Sequence, residues 1–285
     1  MFWLGEPILN ILAVGDVVGK SGRRILLQHI ADLRESLSID LVVVNGENAA
    51  HGFGITEKIC QSFFQSGVDV ITTGNHVWDQ RSIINYIDKD PRLIRPINYP
   101  VGTPGQGFVI CTVSTGKKVL VAQAMCRLFM ETLDEPFIRL EKVLQSRQLG
   151  AEVCAIVIDV HGEATSEKQA FGEIFDGRAS LVFGTHTHVP TADYRILPRG
   201  TAFITDVGMT GDYDSIIGME KKVASQRFVK KTTSSRLTPA DGMGTLCGVF
   251  VQTNDVSGLA ENIEPIRVGG HLRPTRPILG FKNIS

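Results

Sequence analysis

The sequence predicts an α/β fold of parallel strands covered by helices, and three observations predict it. Short runs rich in Val, Ile and Leu recur along the 285 residues, longer segments of helical periodicity separate them, and polar side chains stand directly after the apolar runs. With 43% hydrophobic and 21% charged residues the chain can bury one large core, so a single domain over 1–285 is expected. The motif-bearing core of that domain spans about residues 8–260.

The first strand is "ILNILAVG" (8–15). It is followed by "GRRILLQHIADLRESLS" (22–38), where Ile25, Leu26, His29, Ile30 and Leu33 fall at helical spacing and polar residues take the other face, the pattern of a crossover helix. The second strand is "DLVVVN" (40–45). A second helix, "TEKICQSFFQSG" (56–67), begins at Thr56 as N-cap and stops at Gly67. "DVITTG" (69–74) is the third strand. Residues 91–107 hold four prolines and three glycines, which predicts an irregular loop. "GFVICTVS" and "KKVLVAQAM" around Thr115-Gly116 predict a hairpin, and "EVCAIVID" and "SLVFGT" two further strands. The tail, 261–285, has turn formers and little periodicity, so no element is predicted there.

A formal net charge of -1 supplies no general pull toward polyanions, which favours a small substrate and confines any RNA contact to a local patch. The basic run at 220–236 reads as a solvated helix face and loop, with contact to RNA or a nucleotide phosphate as the alternative. Five cysteines at wide spacing, with no CxxC pair, point to reduced thiols and the cytoplasm. The N-terminal segment lacks a basic region and is broken by Gly5 and Pro7, unlike a signal peptide. No run approaches the roughly 18 apolar residues of a membrane span. The sequence leaves a homo-oligomer open.

Function is carried by the residues that end the strands: Asp16, then Glu47 and Asn48, Asn75 and His76, His161, and His186 with His188. In an open parallel sheet the carboxyl ends share one edge, so these residues should converge. A lone His or Asp at a strand end is usually a cap or a satisfied polar group. Independent caps have no reason to favour histidine, however, and four of the seven histidines stand here. Carboxylates, amides and imidazoles together suit a pair of borderline divalent ions, iron, manganese or zinc, whereas an all-oxygen magnesium or calcium site needs no histidine. Two such ions about 3.5–4 Å apart can share a hydroxide and clamp a phosphate for in-line displacement. "THTH", if extended, puts His186 and His188 on one side.

The motifs "GDVVG", "NGENAA", "FGIT", "GVDVITTGNHVWD", "RPINYP", "HGEATSEK", "GTHTHVPTAD" and "GMTG", in that order over about residues 10–218, resemble the bacterial YmdB-like branch of the calcineurin-like metallophosphoesterases. The resemblance implies a four-layer α/β/β/α sandwich, a di-metal centre of iron or manganese, and phosphodiesterase activity toward cyclic nucleotides, 2′,3′-cyclic or 3′,5′-cyclic. It implies that Asp16 and His188 hold one metal, that Asn75, His161 and His186 hold the other, and that Glu47 bridges them with Asn48 adjacent. His76 is then free of metal and placed to protonate the leaving oxygen as general acid. Asp79 either orients that imidazole or caps the following helix, and the cap is the expectation.

The chain departs from the family pattern at Val160 and Gly162, where an aromatic and an alanine are expected around His161. It departs again at Gln123 and Cys126, where Asn and Gly are usual, which puts a phosphate-contact role for Arg127 in doubt. His51 stands where a small residue is common and reads as an exposed loop histidine.

Two other signals resolve differently. "GDVVGKSG" encloses three residues between Gly15 and Gly19 where a P-loop needs four, so Gly15 and Gly19 are expected to turn the chain around Asp16 instead. "ATSEKQ" is expected to form a capping box from Ser166 and Gln169, which leaves Lys168 outside the site. The reading is therefore a cytoplasmic di-metal phosphodiesterase acting on cyclic nucleotides, the alternatives being a nucleotide-sensing protein that keeps the metal pocket, or a phosphomonoesterase.

Overall fold

A computed structural model describes residues 8–230 and 236–277. In chain order the strands are β1 (Ile8–Val14), β2 (Leu41–Asn45), β3 (Val70–Thr72), β4 (Phe108–Thr112), β5 (Lys118–Met125), β6 (Ala155–His161), β7 (Leu181–Thr185), β8 (Arg195–Ile196), β9 (Ala202–Ile204), β10 (Gly211–Asp212), β11 (Gly244–Asn254) and β12 (Ala260–Gly269). The helices are α1 (Gly19–Ser36), α2 (Glu57–Gln65), α3 (Pro136–Leu144), α4 (Thr165–Phe175) and α5 (Lys221–Lys230), with a short 3-10 helix at Arg81–Asn85.

Two six-stranded sheets result, one ordered β10-β11-β1-β2-β3 with β12 on β11, the other β4-β5-β6-β7-β9-β8. Within each, the strands that carry the predicted site run parallel: β1 to β2 to β3, and β5 to β6 to β7. The four-layer sandwich implied by the resemblance is what the molecule adopts, so the strand ends meet across two sheets rather than along the edge of one. The period of two along β1 explains the layers. Leu9, Ile11 and Ala13 join a core with Val121, Val157 and Phe183 of the other sheet, while Leu12 and Val14 join Leu26, Ile30 and Phe63 of α1 and α2. On the far side Leu120, Ile156 and Ile158 pack on Leu140, Phe171 and Phe175 of α3 and α4. Strands buried on both faces read as unbroken apolar runs, which is why β1, β2, β3, β6 and β7 are visible in the sequence.

β11 and β12 have no counterpart among the expected strands. β11 inserts antiparallel beside β1, Val249 opposite Ala13, and β12 pairs with β11. Pro265 is tolerated because β12 lies at an edge. The tail is therefore a strand as far as Gly269, and its last residues, 278–285, lie outside those described. Thr56 occupies the N-cap of α2 but makes no side-chain cap bond. Ser166 lies inside α4, whose N-cap position is Ala164, so the expected capping box does not form.

Candidate metal centre

The carboxyl ends of β1, β2 and β3 meet those of β6 and β7 across the two sheets. His161 Nε2 lies 3.0 Å from Asn75 Oδ1, 3.0 Å from Glu47 Oε1 and 3.2 Å from His186 Nδ1. On the other side of Glu47, Asp16 Oδ1 is 3.9 Å from His188 Nε2 and 4.0 Å from His161 Nδ1. All seven predicted metal-ligating residues thus belong to one cluster or border it, with Asn48 beside Glu47.

The chemistry of the cluster tests whether ions fit. Asp16 Oδ1, Glu47 Oε1 and Asn48 Oδ1 are buried and have no hydrogen-bond partner. A buried acceptor without a donor typically loses about 1–3 kcal/mol, so three at one spot require an explanation. A cation provides one. Gly74 keeps the space open, because a Cβ there would lie 2.2 Å from Glu47 Oε2 and 2.4 Å from His161 Nε2.

Each imidazole has one nitrogen tied back and the other presented. Thr185 Oγ1 donates to Asp159 Oδ1 at 2.7 Å, so toward His161 Nδ1, at 2.9 Å, it acts as acceptor, and the Nε2 lone pair faces the cluster. His188 Nδ1 donates to Ile217 O at 2.7 Å, leaving Nε2 toward Asp16. His186 Nε2 faces Glu163 at 3.4 Å and Nδ1 faces His161. Asp159 is itself the centre of a buried network: its Oδ2 accepts from Thr72 Oγ1 at 2.6 Å, Gln123 Nε2 at 3.0 Å and Asn45 Nδ2 at 3.2 Å.

The charges agree. Burial disfavours ionised Glu47, yet His161 and His76 beside it outweigh burial and hold its pKa at about 2. Burial also disfavours the His161 cation, but Glu47, Asp16 and Asp159 around it push its pKa up to about 9. Burial, then the charge of His161, lowers His186 to about 3. Burial raises Asp16 although His188 and His161 pull the other way. The adjacent imidazoles are not both cationic, and the positive charge that is kept sits on His161, where donor atoms converge. A divalent ion bound there would supply that positive charge in its place.

His76 stands at the rim. Its backbone N–H donates to Glu47 Oε2 at 3.0 Å, its Nδ1 lies 2.8 Å from Asp79 Oδ2, and the Phe53 ring meets it edge-on at 5.0 Å between centroids. The expectation that Asp79 caps a helix is corrected: the 3-10 helix has Gln80 at its N-cap, and Asp79 is spent on the imidazole.

The "THTH" expectation is corrected in form. The strand ends at Thr185, and His186 and His188 take φ of 97° and 64°, so the segment is coiled rather than extended. Strained backbone of this kind needs support from its surroundings. Asp206 gives it, accepting Thr187 N at 3.1 Å and Thr187 Oγ1 at 2.7 Å, while fully buried Lys168 bonds Thr185 O at 2.6 Å and Asp206 Oδ2 at 2.7 Å. Lys168 is thus a clamp beneath the histidine loop. Asp159, Thr185, Asp206 and Glu163 escape a reading of the sequence; the only hint is their place inside "VIDVHGE", "GTHTH" and "ITDVG".

The P-loop is excluded by its own backbone. The N–H groups of Gly15, Val17, Val18 and Gly19 donate to the carbonyls of Cys247, Asn45, Thr210 and Asn48, so none is left to cradle a phosphate. Arg127 is exposed and its backbone N–H is capped by Glu167, and His51 is an exposed loop residue. The departures at 126 and 162 are one exchange: a Cβ on Gly162 would stand 2.3 Å from Cys126 Cβ.

Known proteins share this sequence and this chain path. The model of the YmdB-like protein family matches residues 12–266. A Bacillus subtilis (strain 168) protein named 2′,3′-cyclic-nucleotide 2′-phosphodiesterase is 46% identical over 260 residues, 91% of this chain and 97% of the relative. Among solved structures, a hypothetical protein of Thermus thermophilus superposes with a TM-score of 0.86 at 38% identity, covering 92% of this chain and 100% of that one. A novel phosphatase of Mycoplasma pneumoniae does so with a TM-score of 0.86 at 32% identity, covering 93% and 95%.

Proposed function

This chain belongs to the YmdB-like protein family, and on that premise we propose that it is a metal-dependent phosphoric diester hydrolase acting on cyclic nucleotides. The observation that carries the reading is the meeting of three orphaned buried oxygens with three imidazoles directly beside the His76–Asp79 pair. The 2′,3′-cyclic diester is the leading substrate, by the name of the Bacillus relative, and the 3′,5′-cyclic diester the second.

In this reading Asp16 and His188 would hold one divalent ion and Asn75, His161 and His186 the other, with Glu47 bridging them and Asn48 adjacent. Iron and manganese head the choice of metal, and zinc accepts the same donors. Bound there, the ions would supply an activated water and charge to neutralise the phosphate. The rest belongs to the chain. Water oxygen joins phosphorus, the P–O2′ bond breaks, and the departing O2′ takes its proton from His76 Nε2; the proton released by the water restores His76, and a 3′-phosphomonoester is left. Asp79 holds Nδ1 so that Nε2 points at the departing oxygen, and Phe53 restricts rotation of the ring. The two sheets act as one catalytic domain because neither holds a complete ligand set.

No helix among the described residues is long and apolar enough to cross a membrane. All five cysteines are free thiols, which suits a reducing compartment and supports the cytoplasm as the place of action. The test is hydrolysis of 2′,3′-cyclic AMP by protein loaded with manganese or iron(II), beside His186→Ala and a p-nitrophenyl phosphate control. Metal-dependent turnover lost in the variant is the expected result. Consumption of the monoester alone would replace the reading with a phosphomonoesterase, and binding without turnover would replace it with a sensor.

A further inference from the structure

Three depressions meet at Leu237. The first, about 270 Å³, is the cavity over the candidate metal centre, and its lining includes His76, Ile217 and Met219. The second, about 320 Å³, is apolar, walled by Ile216, Ile217, Met219 and Phe228. The third, about 410 Å³, is lined by Phe53, Asp79, Gln80, Arg227 and Arg236. They are contiguous: Ile217 and Met219 separate the first from the second, Phe53 the first from the third, and Arg227 borders both outer lobes.

We propose that the two outer lobes are substrate subsites, for a nucleobase and for a second phosphate, and that the substrate class is an oligoribonucleotide whose 3′ end carries a 2′,3′-cyclic phosphate. The proposal rests on the phosphodiesterase reading above and extends it. A cyclic mononucleotide has one phosphate, which the metal centre takes, whereas Arg227 and Arg236 line a lobe beside that centre. The terminal nucleotide of an RNA has a further phosphodiester on O5′ of the same ribose. One sugar separates the two phosphates, so an anion subsite for the second must adjoin the reaction site, as the arginine lobe does across the Phe53 wall. The apolar lobe also borders Leu237, and Phe228, 78% exposed, offers a face on which any base can stack. The stacking surface and the arginine charges select a nucleic acid end without reading its sequence, and the chemistry at phosphorus is unchanged.

The test compares kcat/KM of the manganese-loaded protein on adenosine 2′,3′-cyclic phosphate and on the dinucleotide ApA ending in a 2′,3′-cyclic phosphate. The dinucleotide should be preferred by about tenfold or more, the worth of a charge-assisted contact to phosphate. In Arg227→Glu and Arg236→Glu that ratio should fall toward one, and Arg236→Lys should keep part of it; because the readout is a ratio within each variant, a general loss of folded protein does not move it. A wild-type ratio near one, or a ratio unchanged in both charge-reversal variants, overturns the proposal and leaves the phosphodiesterase reading intact. Hydrolysis of neither substrate overturns that reading, and the proposal with it.

Discussion

His161 is aimed by atoms it does not own. Thr185 fixes its Nδ1, Asp159 fixes Thr185, and the lone pair that remains faces Glu47, Asn75 and His186. Thr185→Val, which keeps the shape and removes the hydroxyl, is expected to weaken manganese binding by about 10–100-fold, as outer contacts to metal-held histidines usually do. Equilibrium titration with the metal reads this directly, without an assay of turnover. His76→Ala is expected to lower kcat by about 10²–10⁴-fold, the usual worth of a general acid, with metal content retained. Asp79→Asn should fall between that variant and the wild type, and steady-state kinetics with metal analysis separates the two. At this scale the sequence shows the residues that end strands and hides those that support them. Asp159 sits inside an apolar strand and reads as a lone acid; only the three-dimensional neighbourhood reveals Thr72, Gln123, Asn45 and Thr185 around it. Asp79 reads as a cap because a helix comes after it, yet a histidine three residues earlier is the nearer partner.

Elements show a different balance. β1, β2, β3, β6 and β7 are legible because parallel strands covered on both faces are apolar throughout. β11 is not, since "GTLCGVFVQTN" carries two glycines and ends in polar residues, and β12 alternates irregularly around Pro265. The turn after β6 couples two positions. Gly162 and Cys126 are each departures from the family pattern, and their side chains compete for one space. Gly162→Ala alone should destabilise by about 1–3 kcal/mol, as overpacking does. Combined with Cys126→Gly, much of that loss should return. Urea unfolding of the two single variants and the double variant gives the coupling, and strict additivity would contradict the exchange.

At the scale of the whole molecule, the sequence pattern indicates α/β and the resemblance alone implies four layers. No periodicity tells one sheet from two, because a strand in either is covered on both faces. The site depends on that division: Asp16, Glu47, Asn48 and Asn75 come after strands of one sheet, and His161, His186 and His188 belong to strand ends of the other. Ions held between the sheets should therefore stabilise the folded state as a whole. A metal at about one hundred times its Kd adds about 2.7 kcal/mol, so chelation is expected to lower the melting temperature by several degrees, and calorimetry with and without EDTA measures it. Lys168→Met should lower it further, since Asp206 would then be a buried carboxylate with its cation removed, a loss of about 3–5 kcal/mol.

The pairing of β1 with β11 also sets a timetable. Asp16 is synthesised long before the strand that closes the sheet beside it, which spans 244–254. Until that segment emerges from the ribosome, β1 has a neighbour on one side only, and the edge that carries Asp16 is incomplete. Long-range pairing of this kind forms late. A growing chain therefore passes through a stage with every proposed ligand made and no finished sheet to hold them, so capture of the proposed metals would fall at the end of folding rather than at its start.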